Sequence, residues 1–582
     1  MSRSELCLRG LAALLLMVAL PAGAQSFRVQ CPTSTITHPT AANNNTEPAY
    51  TGPTTFTAST TGSYLVPSSN VNGAIKCQQI SGGDGYATMA DGTQTYMFSF
   101  GPLSGLADIA AGKSDGSFGA NAGTEYPSVF NTVYTGTLMP GDPATSNGAA
   151  SYGAGTAAVP NWNAPQYTIG TPSFNWNGAV GLVPDADAIA NGTCVAPCLD
   201  GHVDPRQIMD VGVMNGNIPA PLMAFDEDDE FFLTLTNTGM IMRPDLFEQH
   251  TVHFHGYPNA SAFYDGVPDA SVAINIGGSF TYYYLAPDAG TYFWHCHITP
   301  PEHLQMGMVG QLYVRPRQNR VPTTTTLYAG LQAQQGDLRT ACNPTADVLC
   351  STNLPAVNTA AQGLETIGPD TGLPYKYAYN DGDGSTQYDV EYPLQMHGFD
   401  PNFHFVGMTF NPEAFVDMKD KHFLLNGRSY PDTVSPGPQM TQSSDGRVHY
   451  SQPMNSIINI PAGGKALLRL VDLSVSEYAT LASLGIRMHV IGYNAKLLRD
   501  QEGNNLDYYT NSITLGGGES LDVILDTCVN RQVFNSCTGT SATGAVATPL
   551  PKGTYFLYTP QLDHLSNDAE NFGGLMTEVH VN

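Results

Sequence analysis

Basic residues are scarce in this sequence: 23 Lys and Arg stand against 50 Asp and Glu in 582 residues, a formal charge of −27. A surface so short of cations offers no electrostatic footprint for a phosphate backbone or an anionic bilayer, which excludes nucleic acid and acidic membrane surfaces as partners. The same charge suits small cations, cationic partner proteins, or simple solubility. Long apolar runs are also lacking. The run Leu11–Leu20 (LAALLLMVAL) is 10 residues long, well short of the roughly 20 a spanning helix needs, and no membrane span is expected. It follows Arg3 and Arg9 and precedes Ala22-Gly23-Ala24, the layout of a secretory leader cleaved after Ala24. Residues 1–24 are expected to be a signal peptide and the mature protein to be periplasmic or secreted.

Extended amphipathic helical patterns are missing too, while Gly (60), Pro (41) and Tyr (29) are plentiful. That balance predicts an all-β chain of short strands and turns. Residues 25–76 read as a loop-rich N-terminal segment, and a Gly/Ala/Ser-rich insertion is expected at about 104–200, within a first domain at 77–318. A linker, RPRQNRVPTTT, separates this from a second domain at 322–582. The acidic run Asp226–Glu230 reads as a turn and a solvated strand edge rather than a cation site.

Cysteine is sparse but informative. With Cys7 in the leader and Cys296 in a histidine-rich motif, eight remain, an even number that suits disulfides in an oxidising compartment. Neighbours in sequence predict Cys194–Cys198, Cys342–Cys350 and Cys528–Cys537, leaving Cys31 for Cys77. Cys296 stays a lone thiol, and a metal bond is a better reason to keep it there than packing alone.

Six of the 15 histidines fall between His250 and His303. In a strand, alternate residues share a face, so His253 and His255 point together, His295 and His297 point together, and Cys296 points the opposite way. His250, Cys296, His303 and Met308 make two imidazoles, a thiolate and a thioether, the ligand set of a blue-copper electron-transfer centre. Zinc is the competing metal, but the paired Cys-x2-Cys or His-x3-His spacing of structural zinc is absent.

The motif recurs in altered form. GTYFWHCHITPPEHLQMGMVGQLYV from Gly290 resembles GTYFLYTPQLDHLSNDAENFGGLMTEVHV from Gly553, which predicts two related domains. In the second copy Tyr558, Thr559 and Pro560 replace His295, Cys296 and His297, so only the first can bind metal there.

His250-x-x-His253-x-His255-Gly256, His295-Cys296-His297 and His303-x-x-x-Gly307-Met308 together resemble the copper-binding motifs of the multicopper oxidases. GGSFTYYYLAPDAGTY, HFLLNGRSYPDT and KALLRLVDLS resemble that family's strands. The resemblance implies two cupredoxin-like Greek-key β-sandwich domains. It implies a type 1 copper at His250, Cys296, His303 and Met308, and type 2/type 3 copper on His253, His255, His295 and His297. The activity implied is an oxidase whose type 1 copper takes electrons from a small molecule, metal ion or donor protein, with dioxygen as acceptor. Asp265 reads equally as part of a water or proton route and as a strand-end turn.

The family pattern has four His-x-His pairs, and this chain has two. His397, His404, His422, His449, His489, His564 and His580 of the second domain read as structural, with His564 the strongest exception because it aligns with His303. The domain order also resembles copper nitrite reductase, a homotrimer with interfacial copper, although that family has Asp at the position of His253 and no counterpart of His297. An electron carrier and a copper-storage or structural protein are the further readings.

Overall fold

The computed structural model describes residues 34–40 and, with short breaks, 50–102, 216–337 and 359–582, together with 182–183 and 202–203. The leader, most of the expected insertion, and Cys31, Cys194, Cys198, Cys342 and Cys350 lie outside the described residues. The fold is all-β, with only short helices such as Pro300–Gln305, Leu327–Gln334 and Pro401–Gly407.

Two sandwiches follow one another along the chain. In the first, one sheet runs in the order Ser279–Leu285, Glu230–Gly239, Ile75–Thr88, Gln94–Pro102. The other runs Met223–Asp226, Val309–Arg315, Gly290–His295, His253–His255. Phe231, Leu233 and Leu235 from one sheet meet Phe254, Trp294 and Leu312 from the other in a single buried core, as expected where alternate residues of two sheets face inward. Ile75–Thr88 pairs in parallel with Glu230–Gly239, and Met223–Asp226 in parallel with Val309–Arg315. Parallel neighbours need crossovers rather than hairpins, which suits the cupredoxin type of sandwich.

The second sandwich repeats the plan. Its larger sheet is centred on Val390–Phe399, Lys465–Asp472 and Ser520–Asp526, and its smaller one on Ala479–Leu484, Gly553–Tyr558 and Met576–Val581. Leu468, Leu470, Val523, Leu557 and Val579 share its core. The internal sequence comparison holds at this level: Gly290–His295 pairs antiparallel with Val309–Arg315, and Gly553–Tyr558 pairs the same way with Met576–Val581.

The sandwiches are joined by buried polar contacts. Thr291 Oγ1 donates to Asp522 Oδ1 at 2.6 Å, and Gln311 Nε2 to the Arg469 carbonyl at 2.8 Å. Glu391 accepts from Arg469 Nε at 2.6 Å and from Arg315 Nε at 3.1 Å. Burial pushes the Glu391 carboxyl up, but the Arg469 and Arg315 guanidinium groups outweigh it and hold it at about 2.

The acidic run corrects the expectation of a solvated edge. Asp226, Glu227, Asp228, Asp229 and Glu230 are all buried. Lys76 Nζ lies 2.8 Å from Asp229, Arg317 and Arg320 lie 2.8 and 2.5 Å from Asp228, and His38 Nδ1 lies 2.6 Å from Glu230. Buried carboxylates are tolerated because each gains a partner, and these partners come from distant parts of the chain, including the linker.

Cys528 and Cys537 form the expected disulfide, with S–S 1.96 Å. Cys77 is disulfide-bonded, though Cys31 lies outside the described residues.

Two buried acids of the second sandwich carry a pH dependence. Burial pushes Asp420 and Asp472 from 3.8 up to about 7 each, and Asp472 Oδ2 has no hydrogen-bond partner. A carboxyl that holds its proton more tightly when folded adds stability that is complete below its unfolded pKa and is lost as pH rises through the folded one. Unfolding free energy is therefore expected to fall between about pH 4 and pH 7. In Asp472→Asn this slope should flatten in chemical denaturation across that range; an unchanged slope would refute the assignment.

Candidate metal centres

The first cluster is built where the Gly290–His295 strand ends. His250, Cys296 and His303 bring their ligand atoms within 4.8 Å of one another, and all three are buried. Met308 is fully buried in the same core, and its carbonyl accepts from the Cys296 N–H at 3.0 Å. His303 is carried on the helix Pro300–Gln305, with its Nδ1 3.3 Å from the Cys296 sulfur. The Thr251 N–H donates to the same sulfur at 3.4 Å. Phe98 meets the His303 ring edge-on at 5.3 Å, and Phe100 meets His250 at 6.4 Å.

The chemistry of these groups fits a soft metal ion. Neither ring nitrogen of His250 has a hydrogen-bond partner although the residue is fully buried, a costly state for a polar ring that bonds nothing. Burial, and then the His303 charge, hold His250 well below the ordinary imidazole range, so it stays neutral with a lone pair to offer. Burial pushes the Cys296 thiol up, but His303 reverses this and leaves it below 9.0. Burial lowers His303 while Cys296 and Glu248 raise it, to about 9. Thiolate and imidazole are the forms that ligate metal.

The second cluster lies across the same strand. His253, His255 and His295 bring ligand atoms within 4.8 Å of one another, and the His297 ring sits 5.2 Å from His253 and 5.7 Å from His295. His295 Nδ1 lies 2.7 Å from the Cys296 carbonyl, and His253 Nδ1 lies 2.7 Å from the Asp265 carbonyl. A carbonyl only accepts, so both Nδ1 atoms carry the proton and both Nε2 lone pairs are left for a ligand. Burial holds His295 at about 3. The Asp265 backbone carbonyl orients the His253 ring, with the Asp265 carboxylate 3.6 Å from it.

A cavity of about 570 Å³ opens on this cluster. His255, Phe293 and His295 line one wall, and the second sandwich faces them with Ser474–Tyr478 and Gly516–Glu519, bringing no histidine to the cavity. Its other histidines are held elsewhere. His564 is buried and stacks on Phe423 at 3.8 Å, so it is engaged within its own sandwich rather than displayed to a neighbouring chain. His489 pairs with Asp507 at 3.0 Å and His580 with Glu578 at 2.7 Å. His397, His404 and His422 are buried, and the side chain of His449 is outside the described residues.

Two participants escaped the sequence reading. Glu248 Oε2 stands 3.7 Å from Nε2 of His303, on the partly exposed side of the first cluster. Gly82 lies against His250, where a Cβ would come within 2.6 Å of Cδ2. Gly82→Ala is therefore expected to displace the His250 ring and weaken copper retention, measurable by dialysis against a chelator; unaltered retention would show that the ring has room to yield.

Residues 200–319 match the multicopper oxidase family model. A multicopper oxidase of Talaromyces pinophilus is 35% identical over 120 residues, which is 20% of this chain and 18% of that protein. A laccase of Aspergillus fumigatus is 34% identical over 109 residues, 18% of this chain and 17% of that one. The chain thus spans less than a fifth of the length of either relative. Among solved structures, a blue copper oxidase from Nitrosomonas europaea aligns at 19% identity and TM-score 0.38, covering 63% of this chain and 78% of that one. The segment that holds both histidine clusters is thus similar to the multicopper oxidase family.

Proposed function

We propose that the protein is an exported copper oxidoreductase that takes electrons at a type 1 site on His250, Cys296, His303 and Met308 and delivers them to dioxygen at a type 2/type 3 site on His253, His255, His295 and His297. The observation that carries this reading is the position of Cys296: its sulfur lies in the first cluster, while its two sequence neighbours place their rings in the second. Bound copper would supply one-electron redox chemistry at both sites.

The chain's own groups do the rest. Cys296 links the clusters through a short covalent path to His295 and His297. The Thr251 N–H tempers the sulfur charge by donating to it, and the Thr251 hydroxyl accepts from the His297 N–H at 3.0 Å, so one residue fixes both sides of the bridge. Phe98 and Phe100 keep water from the buried imidazoles. Glu248 marks the edge of His303 where an electron donor would approach, and its carboxylate favours a cationic or proton-releasing donor such as a reduced metal ion or a phenol.

His255 is exposed and the second cluster is drawn from one sandwich. This favours completion of the site by a second copy of the chain, as in a homotrimer. The reading is tested with an oxygen electrode: donor-dependent oxygen uptake is expected, and it should vanish in His253→Ala. A blue protein that accepts electrons but consumes no oxygen would instead be an electron carrier or a nitrite-reductase-like enzyme.

A further inference from the structure

Both ligand clusters found among the described residues are drawn from the first sandwich, yet two buried histidines of the second reach the loop that carries His303 and Met308. His397 Nε2 donates to the Leu304 carbonyl at 3.1 Å. The His404 ring lies with Nε2 2.8 Å from the Gln305 carbonyl and Nδ1 2.6 Å from the Tyr96 carbonyl, and it stacks on Phe399 at 3.7 Å. Gln305 is held from its side chain as well, donating through Nε2 to Asp420 Oδ1 at 2.9 Å. At the next position, a Cβ on Gly407 would touch the Met306 methyl at 3.5 Å.

These contacts converge on Leu304, Gln305 and Met306, between two type 1 ligands and at the end of the helix Pro300–Gln305. The last carbonyls of a helix have no partner within it, and buried carbonyls must find one. Here the Leu304 carbonyl accepts from the Gly307 N–H at 3.0 Å and also from His397, and the Gln305 carbonyl faces His404 of the other sandwich. Burial holds His404 at about 3, so its neutral ring carries one N–H and donates to either the Gln305 or the Tyr96 carbonyl at a time, packing against the other. Tyr96 lies on the strand whose Phe98 packs against His303. The His404 ring thus couples the two backbone segments that border the His303 imidazole.

We propose that His397 and His404 are positioning residues for the type 1 copper, setting the placement of His303 and Met308 relative to the Cys296 sulfur. This makes the second sandwich, itself without a copper cluster among the described residues, an outer support for the first. The inference rests on the copper reading of that cluster.

The test uses the full-length, copper-loaded protein with His397→Leu, His404→Leu, and His404→Gln as the conservative variant that keeps a donor. The leucine variants are expected to move the thiolate-to-copper absorption band and the type 1 reduction potential, and to release copper to a chelator about tenfold faster. His404→Gln should return towards the wild type. If His404→Leu does not fold, Gln305→Leu severs the Asp420 contact and the 3.4 Å approach of Gln305 Oε1 to His404 Nε2 while keeping both imidazoles, and it should move the band and potential in the same way. Variants that lose thermal stability while keeping the wild-type band, potential and copper release would overturn the proposal. A wild-type protein with no thiolate-to-copper band would overturn the copper reading, and this inference with it.

Discussion

Cys296→Ser is expected to abolish the blue absorption and to reduce donor-dependent oxygen uptake to background, while copper bound at His253, His255, His295 and His297 is retained. The sulfur is the one atom that belongs to the buried first cluster and is also covalently continuous with two residues of the second. A serine hydroxyl of high pKa does not become the anionic soft ligand that stabilises the thiolate–copper bond. His295 and His297 keep their own contacts to the Cys296 carbonyl and the Thr251 hydroxyl, which a side-chain change at position 296 leaves in place. Copper analysis together with an oxygen electrode reads both halves of this expectation. Persistent oxygen uptake in the variant would mean that electrons reach the second cluster by another route.

The second large effect is on stability. Glu391 is fully buried between Arg469 and Arg315, and Arg469 also lies 3.4 Å from Asp522 and above the Tyr313 ring at 4.8 Å. Removing one member of a buried network strands the charge of another, which typically costs about 3–5 kcal/mol. Glu391→Gln is expected to lose that much in chemical denaturation, and the sandwiches to separate at lower denaturant than the wild type. Because the folded pKa of Glu391 is depressed from 4.5 to about 2, its contribution is present above about pH 4.5 and is lost as pH falls towards 2. This is the opposite sign to Asp420 and Asp472, so the two effects separate by pH range. A loss below about 1 kcal/mol, the scale of an exposed pair, would show that water reaches the network.

The two side-chain clusters were legible because metal chemistry writes itself in short spacings. His253-x-His255 and His295-Cys296-His297 lie in or beside strands, where alternation alone tells which side chains share a face, and the paired strands Gly290–His295 and His253–His255 bring the two motifs together. The architecture was legible for a similar reason, since the Gly-Thr-Tyr-Phe strand start occurs twice and both copies pair with a closing strand.

What escaped was set by partners remote in sequence. The acidic run looked solvated because nothing local neutralises it, while Arg317 and Arg320 stand about 90 residues away. Gly82 carries no motif, and its role appears only when the parallel pairing of its strand with Glu230–Gly239 brings it beside His250. His397 and His404 lie in no His-x-His pattern, and their targets are backbone carbonyls, which any sequence offers equally. Glu248 is two residues from His250, but its contact is with His303, which only the folded loop brings near.

The most direct measurement is copper content per chain beside the electron paramagnetic resonance spectrum of the purified wild-type protein. The account predicts a type 1 signal together with more than one copper per chain, the additional metal lying on His253, His255, His295 and His297. A single copper per chain with only the type 1 signal would contradict the second site and reduce the protein to an electron carrier.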